Sequence, residues 1–274
     1  MNLKLKRYII IGTQRSGTTA VHFALYNHPE TSTLYDEARI VPLFTDGLST
    51  FTFGNNDDEE KINDVSELFN IICTLNSKGS ANTIGLKIAN SNPNEIALLK
   101  ETLFSQFKDV KIIFVYRSNL TAQFGSLARG KKTKQFHSWD KKATKIDKIK
   151  LNTFEFKIHI IKYVLSNLEL ELFSNDFSLL KVNYEEIIKK NNFNYIFNFL
   201  NLKHINESEI KSTKKISPEA EQYVVDYERF RKIEIDFTQK IKENPKKYLR
   251  ILDILTFFYS VLNNMKALFK QRKL

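Results

Sequence analysis

Cysteine is almost absent from this chain, with Cys73 the only one in 274 residues, so no intrachain disulfide can staple the fold. That usage suits a reducing cytoplasm, which is the expected location. Glycine and proline are scarce as well, at 8 and 5 residues, and neither gathers into a linker or a low-complexity stretch. Without a linker or an internal repeat, the expectation is one domain over 1–274, with a core over about 7–200 and a helical C-terminal extension over about 205–274. Long apolar runs are missing too. Lys4, Lys6 and Arg7 precede an apolar stretch of only Tyr8 to Ile11, too short for a signal-peptide core. The segment from Tyr248 to Lys270 is amphipathic but broken by Arg250 and Asp253, too charged to span a bilayer. Its apolar face has three candidate destinations, in this order: the core, a second copy of the chain as a homodimer, or a peripheral membrane contact. The histidines show no metal-ligand spacing with other His, Cys, Asp or Glu residues, so no metal is expected. Charge balance is uneven in the other direction, with 42 Lys and Arg against 31 Asp and Glu, a net charge of +11. The basic residues are scattered along helical patterns without a nucleic-acid motif, which argues against a nucleic-acid partner.

What is present begins at Arg7-Tyr8-Ile9-Ile10-Ile11-Gly12-Thr13-Gln14-Arg15-Ser16-Gly17-Thr18-Thr19: an apolar strand, a glycine-bounded turn and a hydroxyl-rich helix start. The Gly12-x4-Gly17 spacing turns backbone N–H groups toward an anion at a helix N-terminus, where unsatisfied donors and the helix dipole favour negative charge. Gln14, Arg15, Ser16, Gly17, Thr18 and Thr19 are therefore candidate anion-holding residues. The loop departs from the nucleotide-triphosphatase pattern, because Thr18 stands where the lysine belongs and Arg15 is the only cation inside the turn. Ordinary ATP is not the expected ligand.

Apolar runs bounded by turn signals predict strands near 7–12, 83–88, 110–116 and 178–182, with helices at about 18–28, 59–77, 93–107, 119–129 and 140–173. Such alternation predicts an α/β fold, a parallel sheet covered by helices on both faces. Ligands bind beyond the carboxyl ends of such strands, which directs attention to the Gly12 loop, Asp36 and Glu37, Lys87, Arg117 and Tyr184. Lys87 lies inside the apolar stretch Thr83-Ile84-Gly85-Leu86-Lys87-Ile88, where a charge is costly unless it meets an anion. Arg117 follows the strand Val110 to Tyr116, with Asn119 as an N-cap opening a helix that carries Ser126. That arrangement predicts a second anion site. Arg129-Gly130-Lys131-Lys132-Thr133-Lys134 reads as a surface loop rather than a ligand site, and His22 as a residue packed against the sheet.

The Gln14-Arg15-Ser16-Gly17-Thr18-Thr19 loop resembles the 5′-phosphosulfate loop of sulfotransferases, enzymes that use 3′-phosphoadenosine 5′-phosphosulfate (PAPS). The stretch from Arg117 to Ser126 resembles their 3′-phosphate segment, with an arginine-to-serine interval one residue longer than the common cytosolic pattern. The wording Asn119-Leu120-Thr121-Ala122-Gln123 is similar to bacterial Nod-factor, trehalose and lipopolysaccharide-type sulfotransferases. The resemblance implies a P-loop-like parallel sheet of about four to five strands, PAPS as co-substrate, 3′-phosphoadenosine 5′-phosphate (PAP) as product, and a carbohydrate or glycolipid hydroxyl as acceptor. It implies Glu37 as the general base within His28-Pro29-Glu30 and Tyr35-Asp36-Glu37, although Asp36 replaces the usual glycine. It implies Lys87 as the strand lysine touching the sulfonate, with Ala89 where cytosolic members carry a catalytic histidine. Tyr184, in Val182-Asn183-Tyr184-Glu185-Glu186-Ile187, would lie near the nucleotide, and Lys214 and Lys215 would belong to a basic loop closing over it. Two other classes stay open: a nucleotide kinase, for which no core strand ends in the expected aspartate, and a nucleotide-binding relative without catalysis.

Overall fold

The computed structural model describes residues 5–33, 39–42, 49–53, 60–62, 69–70, 81–89, 93–133, 148–190, 192–205 and 219–256. β1 (Lys6–Gly12) leads into α1 (Thr18–Tyr26) and β2 (Thr31–Thr33). Three short strands, β3 (Arg39–Pro42), β4 (Ser49–Phe53) and β5 (Glu60–Ile62), form a separate antiparallel sheet in the order β3-β4-β5. The main sheet continues with β6 (Thr83–Ala89), α2 (Pro93–Gln106), β7 (Lys111–Tyr116), α3 (Leu120–Thr133), α4 (Thr153–Glu171), a short 3-10 turn and β8 (Ser178–Asn183). Then follow α5 (Tyr184–Lys190), α6 (Asn194–Leu200), α7 (Ala220–Tyr223), α8 (Tyr227–Glu243) and a last helix, α9, from 245 through 256. The chain is α/β, with a five-stranded sheet in the order β2-β6-β1-β7-β8 and every pairing parallel.

The alternation within β1 explains why both faces need helices. Ile9 and Ile11 join Leu86, Ile112 and α2 in one apolar cluster, while Tyr8 and Ile10 join Ile113, Val115, α1 and α6 in the other. Successive side chains of a strand point to opposite faces, so a strand apolar at every position must be buried on both. A third cluster ties α3 and α4 to α8 and α9, with Tyr248 and Leu252 buried in it. The described part of the C-terminal amphipathic segment thus docks on the core; residues 257–274 lie outside the described residues. No helix among the described residues is long and apolar enough to cross a membrane.

Two expected helices are corrected. In 59–77, Glu60–Ile62 is a strand whose backbone pairs with β4, 69–70 are helical as expected, and the other residues of the stretch lie outside the described residues. A polar segment with weak periodicity leaves pairing to decide its state. In 140–173, the described helix starts at Thr153, because the Asn152 side chain accepts from the N–H groups of Phe154 and Glu155 at 2.9 and 3.1 Å and caps it there. Ile149, expected in that helix, instead bridges Val224.

Candidate active site

The loop after β1 turns sharply. Ser16 N–H donates to the Thr13 carbonyl at 3.1 Å, and Arg15 and Gly17 both take positive φ, 64° and 97°. Glycine accepts that conformation freely, and at Gly17 a side chain would also collide with the Tyr184 ring, 2.0 Å from its Cβ position. Arginine in the left-handed region carries strain on the order of 1–3 kcal/mol, which marks Arg15 as held there by its surroundings. Ser16 is fully buried, with its hydroxyl beneath the loop against Gly12. Gln14 is exposed, but Gln123 from α3 donates to its carbonyl at 2.7 Å and to Thr13 Oγ1 at 3.1 Å.

α1 starts at Gly17 without a side-chain cap and without an acid in its first turn, so its leading N–H groups and its dipole are left for an anion. Beside them Lys87, only 5% exposed, brings Nζ to 3.5 Å from Thr19 Oγ1. Thr18 is buried behind the turn.

Arg117, at the carboxyl end of β7, lies against the other flank of the loop. Its Nε donates to Glu185 at 3.2 Å, one terminal nitrogen donates to the Arg15 carbonyl at 3.3 Å, and its guanidinium sits 4.6 Å from the Tyr184 ring centroid. Tyr163 clamps the Arg117 backbone, accepting from its N–H at 2.6 Å and donating to its carbonyl at 2.7 Å. Burial pushes the Tyr163 hydroxyl up to about 12, so it keeps its proton for that bond. Ser126 accepts from Arg15 Nη2 at 3.0 Å and Nε at 3.3 Å rather than from Arg117. Burial first, then the charges of Arg117 and Arg129, push Arg15 below the ordinary arginine value.

The structure thus gathers Arg15, Gly17, Arg117, Ser126 and Tyr184 at one place, with Lys87 and Thr19 on the far side of the loop. Glu37, Asp36, Lys214 and Lys215 lie outside the described residues. His22 is buried in α1, with its ring 5.6 Å from that of Phe23. His28 is buried as well, and its Nε2 meets the Lys203 carbonyl at 2.8 Å.

Two expectations about the second segment change. Asn119 caps α3, its Oδ1 accepting from Ala122 N–H at 2.8 Å, but that helix start is not an anion site. The Glu234 carboxylate from α8 already fills it, accepting from Leu120 N–H, Thr121 N–H and Thr121 Oγ1 at 3.0, 2.8 and 2.6 Å. The residues from Arg129 to Thr133 are not a loop either; they form the last turn of α3. Gln123 and Glu234 were not singled out by sequence, and Arg129 was read as part of a surface loop away from any ligand. The i, i+3 spacing of Gln123 to Ser126 is the signal that could have found the first.

No protein-family model and no curated protein matches the sequence. Among solved structures, it is similar to the sulfotransferase domain from the curacin biosynthetic pathway, at 12% identity over 78% of this chain and 81% of that one, with a TM-score of 0.47. It is similar to a sulfotransferase from Alicyclobacillus acidocaldarius, at 10% identity over 91% of this chain and 95% of that one, with a TM-score of 0.45. It is also similar to mouse sulfotransferase SULT7A1 complexed with PAP, at 16% identity over 82% of this chain and 71% of that one, with a TM-score of 0.43.

Proposed function

We propose that the chain is a PAPS-dependent sulfotransferase acting on a hydroxyl of a carbohydrate or glycolipid. One observation carries this reading: Arg15, set inside the phosphate-type loop, reaches Ser126 at 3.0 Å, so the uncapped start of α1 and the Arg117 cradle form one continuous anion surface. A nucleotide with an anionic group on each side of its ribose fits such a surface; a triphosphate extended in one direction leaves half of it unused. The carbohydrate or glycolipid acceptor rests on the sequence wording alone.

In this scheme the acceptor oxygen attacks the sulfur as the bond from sulfur to the bridging phosphate oxygen breaks. PAP departs with the electron pair, and the acceptor proton passes to the Glu37 carboxylate. Arg15, Lys87 and the amides of the Gly12–Thr19 loop face the charge that develops on the sulfonate and on the leaving oxygen. Fixed donors of this kind need no reorganisation as the transition state forms. Tyr184, lying between Gly17 and Arg117, would flank the nucleotide, and Lys214 and Lys215 would close over it. A kinase would need an acid to hold Mg²⁺, whereas β6, β7 and β8 end in Ala89, Tyr116 and Asn183, and Glu185 after β8 is paired with Arg117.

The test is a thermal-shift and calorimetric titration of the full chain with PAP, ADP and ATP, each with and without Mg²⁺. PAP is expected to bind without metal and to raise the melting temperature more than either other nucleotide. A larger shift from ATP with Mg²⁺ would replace this reading with a kinase, and PAP binding without turnover of PAPS on any hydroxyl acceptor would leave a nucleotide-binding relative.

A further inference from the structure

Arg129 stands three residues beyond Ser126 in α3, so both side chains leave the same face of the helix. It is half-buried, and its guanidinium lies 5.7 Å from the Tyr223 ring centroid. No carboxylate is paired with it among the described residues. α7 is pressed onto α3 at this point: a Cβ on Gly125 would come within 2.7 Å of Val224 Cγ2 and 3.6 Å of the Tyr223 hydroxyl. Tyr223 is 2% exposed and so cannot swing away as a surface side chain would. Burial first, with a contribution from the Glu219 carboxylate, pushes its hydroxyl above the ordinary tyrosine value, against the opposing charges of Arg129, Arg117 and Arg15.

Arg15 thus holds Ser126 from one side, and Arg129, on the next turn of the same helix face, lies against Tyr223, with the charge of Arg117 also felt at the Tyr223 hydroxyl. Like charges in a partly desolvated pocket repel one another, and such a cluster stands at a cost until an anion enters it. Glu185 balances Arg117 at 3.2 Å, and Arg15 serves the loop as well as Ser126. A singly charged group would be held by Arg117 and Arg15 alone. Arg129 adds the charge that matches a second negative charge, and arginine is the side chain suited to phosphate oxygens.

We infer that Arg129 is a third cation of this pocket, held in place by Tyr223, and that it selects nucleotides carrying a phosphomonoester dianion on the ribose. This rests on the sulfotransferase reading above. In the family resemblance the 3′-phosphate falls to Arg117 and Ser126, with Lys214 and Lys215 in a loop over the nucleotide; Arg129 is what this chain adds.

The experiment is calorimetric titration of the wild type, R129Q and R129K with PAP and with adenosine 5′-monophosphate, which differ only in the 3′-phosphate, after melting curves have shown each variant folded. Loss of one charge-assisted contact predicts that R129Q binds PAP roughly tenfold or more weakly, with the monophosphate unchanged within about twofold. R129K, which keeps the charge, is expected to retain most of the discrimination. Unchanged PAP binding by R129Q removes Arg129 from the pocket, and an equal loss for both nucleotides assigns it to the fold or to the 5′ group. If R129K loses discrimination as fully as R129Q, charge is not the cause and the inference falls. Failure of the wild type to bind PAP at all is a different result, and it overturns the sulfotransferase reading itself.

Discussion

Arg117 is held on three sides, by Glu185, by the Arg15 carbonyl and by the Tyr184 ring, so an anion meeting it finds a guanidinium already oriented. A charge-assisted hydrogen bond contributes about 1.5–3 kcal/mol. Arg117→Ala is therefore expected to weaken PAP by roughly ten- to a hundredfold, while adenosine 5′-phosphosulfate, which lacks the 3′-phosphate, changes little; an equal loss for both ligands would place Arg117 elsewhere in the mechanism. At Glu37 the expectation is different, because glutamine keeps the size of the side chain but cannot take the acceptor proton. Glu37→Gln should lower transfer by about 10²–10⁴ with PAP affinity intact, and a fully active variant would move the base to Asp36 or out of the segment. Arg15, Lys87 and Arg117 were legible in the sequence for one physical reason: each is a cation inside or just beyond an apolar strand. Gln123, Arg129 and Glu234 were not. Their roles depend on which helix lies across which, and charged or amide side chains on a helix read as solvated until its neighbours are known.

At the scale of elements, the strands that form the site were the most legible part, because β1 and β7 are apolar at nearly every position and bounded by turn signals. The antiparallel sheet β3-β4-β5 was not read: its strands span three to five residues, too short for periodicity to separate from a helix. Nor could sequence show how α3 is anchored. Its first turn is held by a carboxylate 113 residues later in the chain: Glu234 is 4% exposed, accepts three hydrogen bonds from Leu120 and Thr121, and lies 2.5 Å from Arg231 Nη1. This joins α8 to the helix that carries Gln123, Ser126 and Arg129. Removing one partner of a buried, hydrogen-bonded charge pair typically destabilises by about 3–5 kcal/mol. Glu234→Ala is expected to lower stability by about 3 kcal/mol in urea unfolding, with Glu234→Gln, which keeps one acceptor oxygen, falling between it and the wild type. A loss below about 1 kcal/mol for the alanine variant would show that Asn119 alone suffices to cap α3.

Across the whole molecule, the loop is tied to the third apolar cluster through a chain of side chains from the sheet into the helical layer. Gln123 spends both amide hydrogens on Thr13 Oγ1 and the Gln14 carbonyl, so its oxygen accepts from His159 Nε2 at 3.3 Å. His159 sits on α4, with its ring 5.1 Å from that of Phe124 and 6.4 Å from that of Tyr163, the residue that clamps Arg117. Burial first, then the charges of Lys162 and Lys131, push its imidazole down to about 4. The sign of the resulting pH dependence follows from the two states. An unfolded histidine takes up its proton near pH 6.5, so as pH falls from 6.5 to 4 the unfolded chain binds a proton that the folded chain refuses, and stability declines. Above that window the contribution is complete, and below pH 4 no more is lost. A shift of this size corresponds to about 3 kcal/mol at most, and His159 as a residue is only half-buried, so the observed loss should be smaller. His159→Asn removes the titration while keeping a donor for Gln123. Urea unfolding at pH 7.5, 5.5 and 4 is expected to show the wild type losing more stability than this variant across the window, the other histidines contributing equally to both. Parallel losses in the two proteins would mean that His159 accepts its proton as readily folded as unfolded, and that the layer between the loop and α4 is open to water.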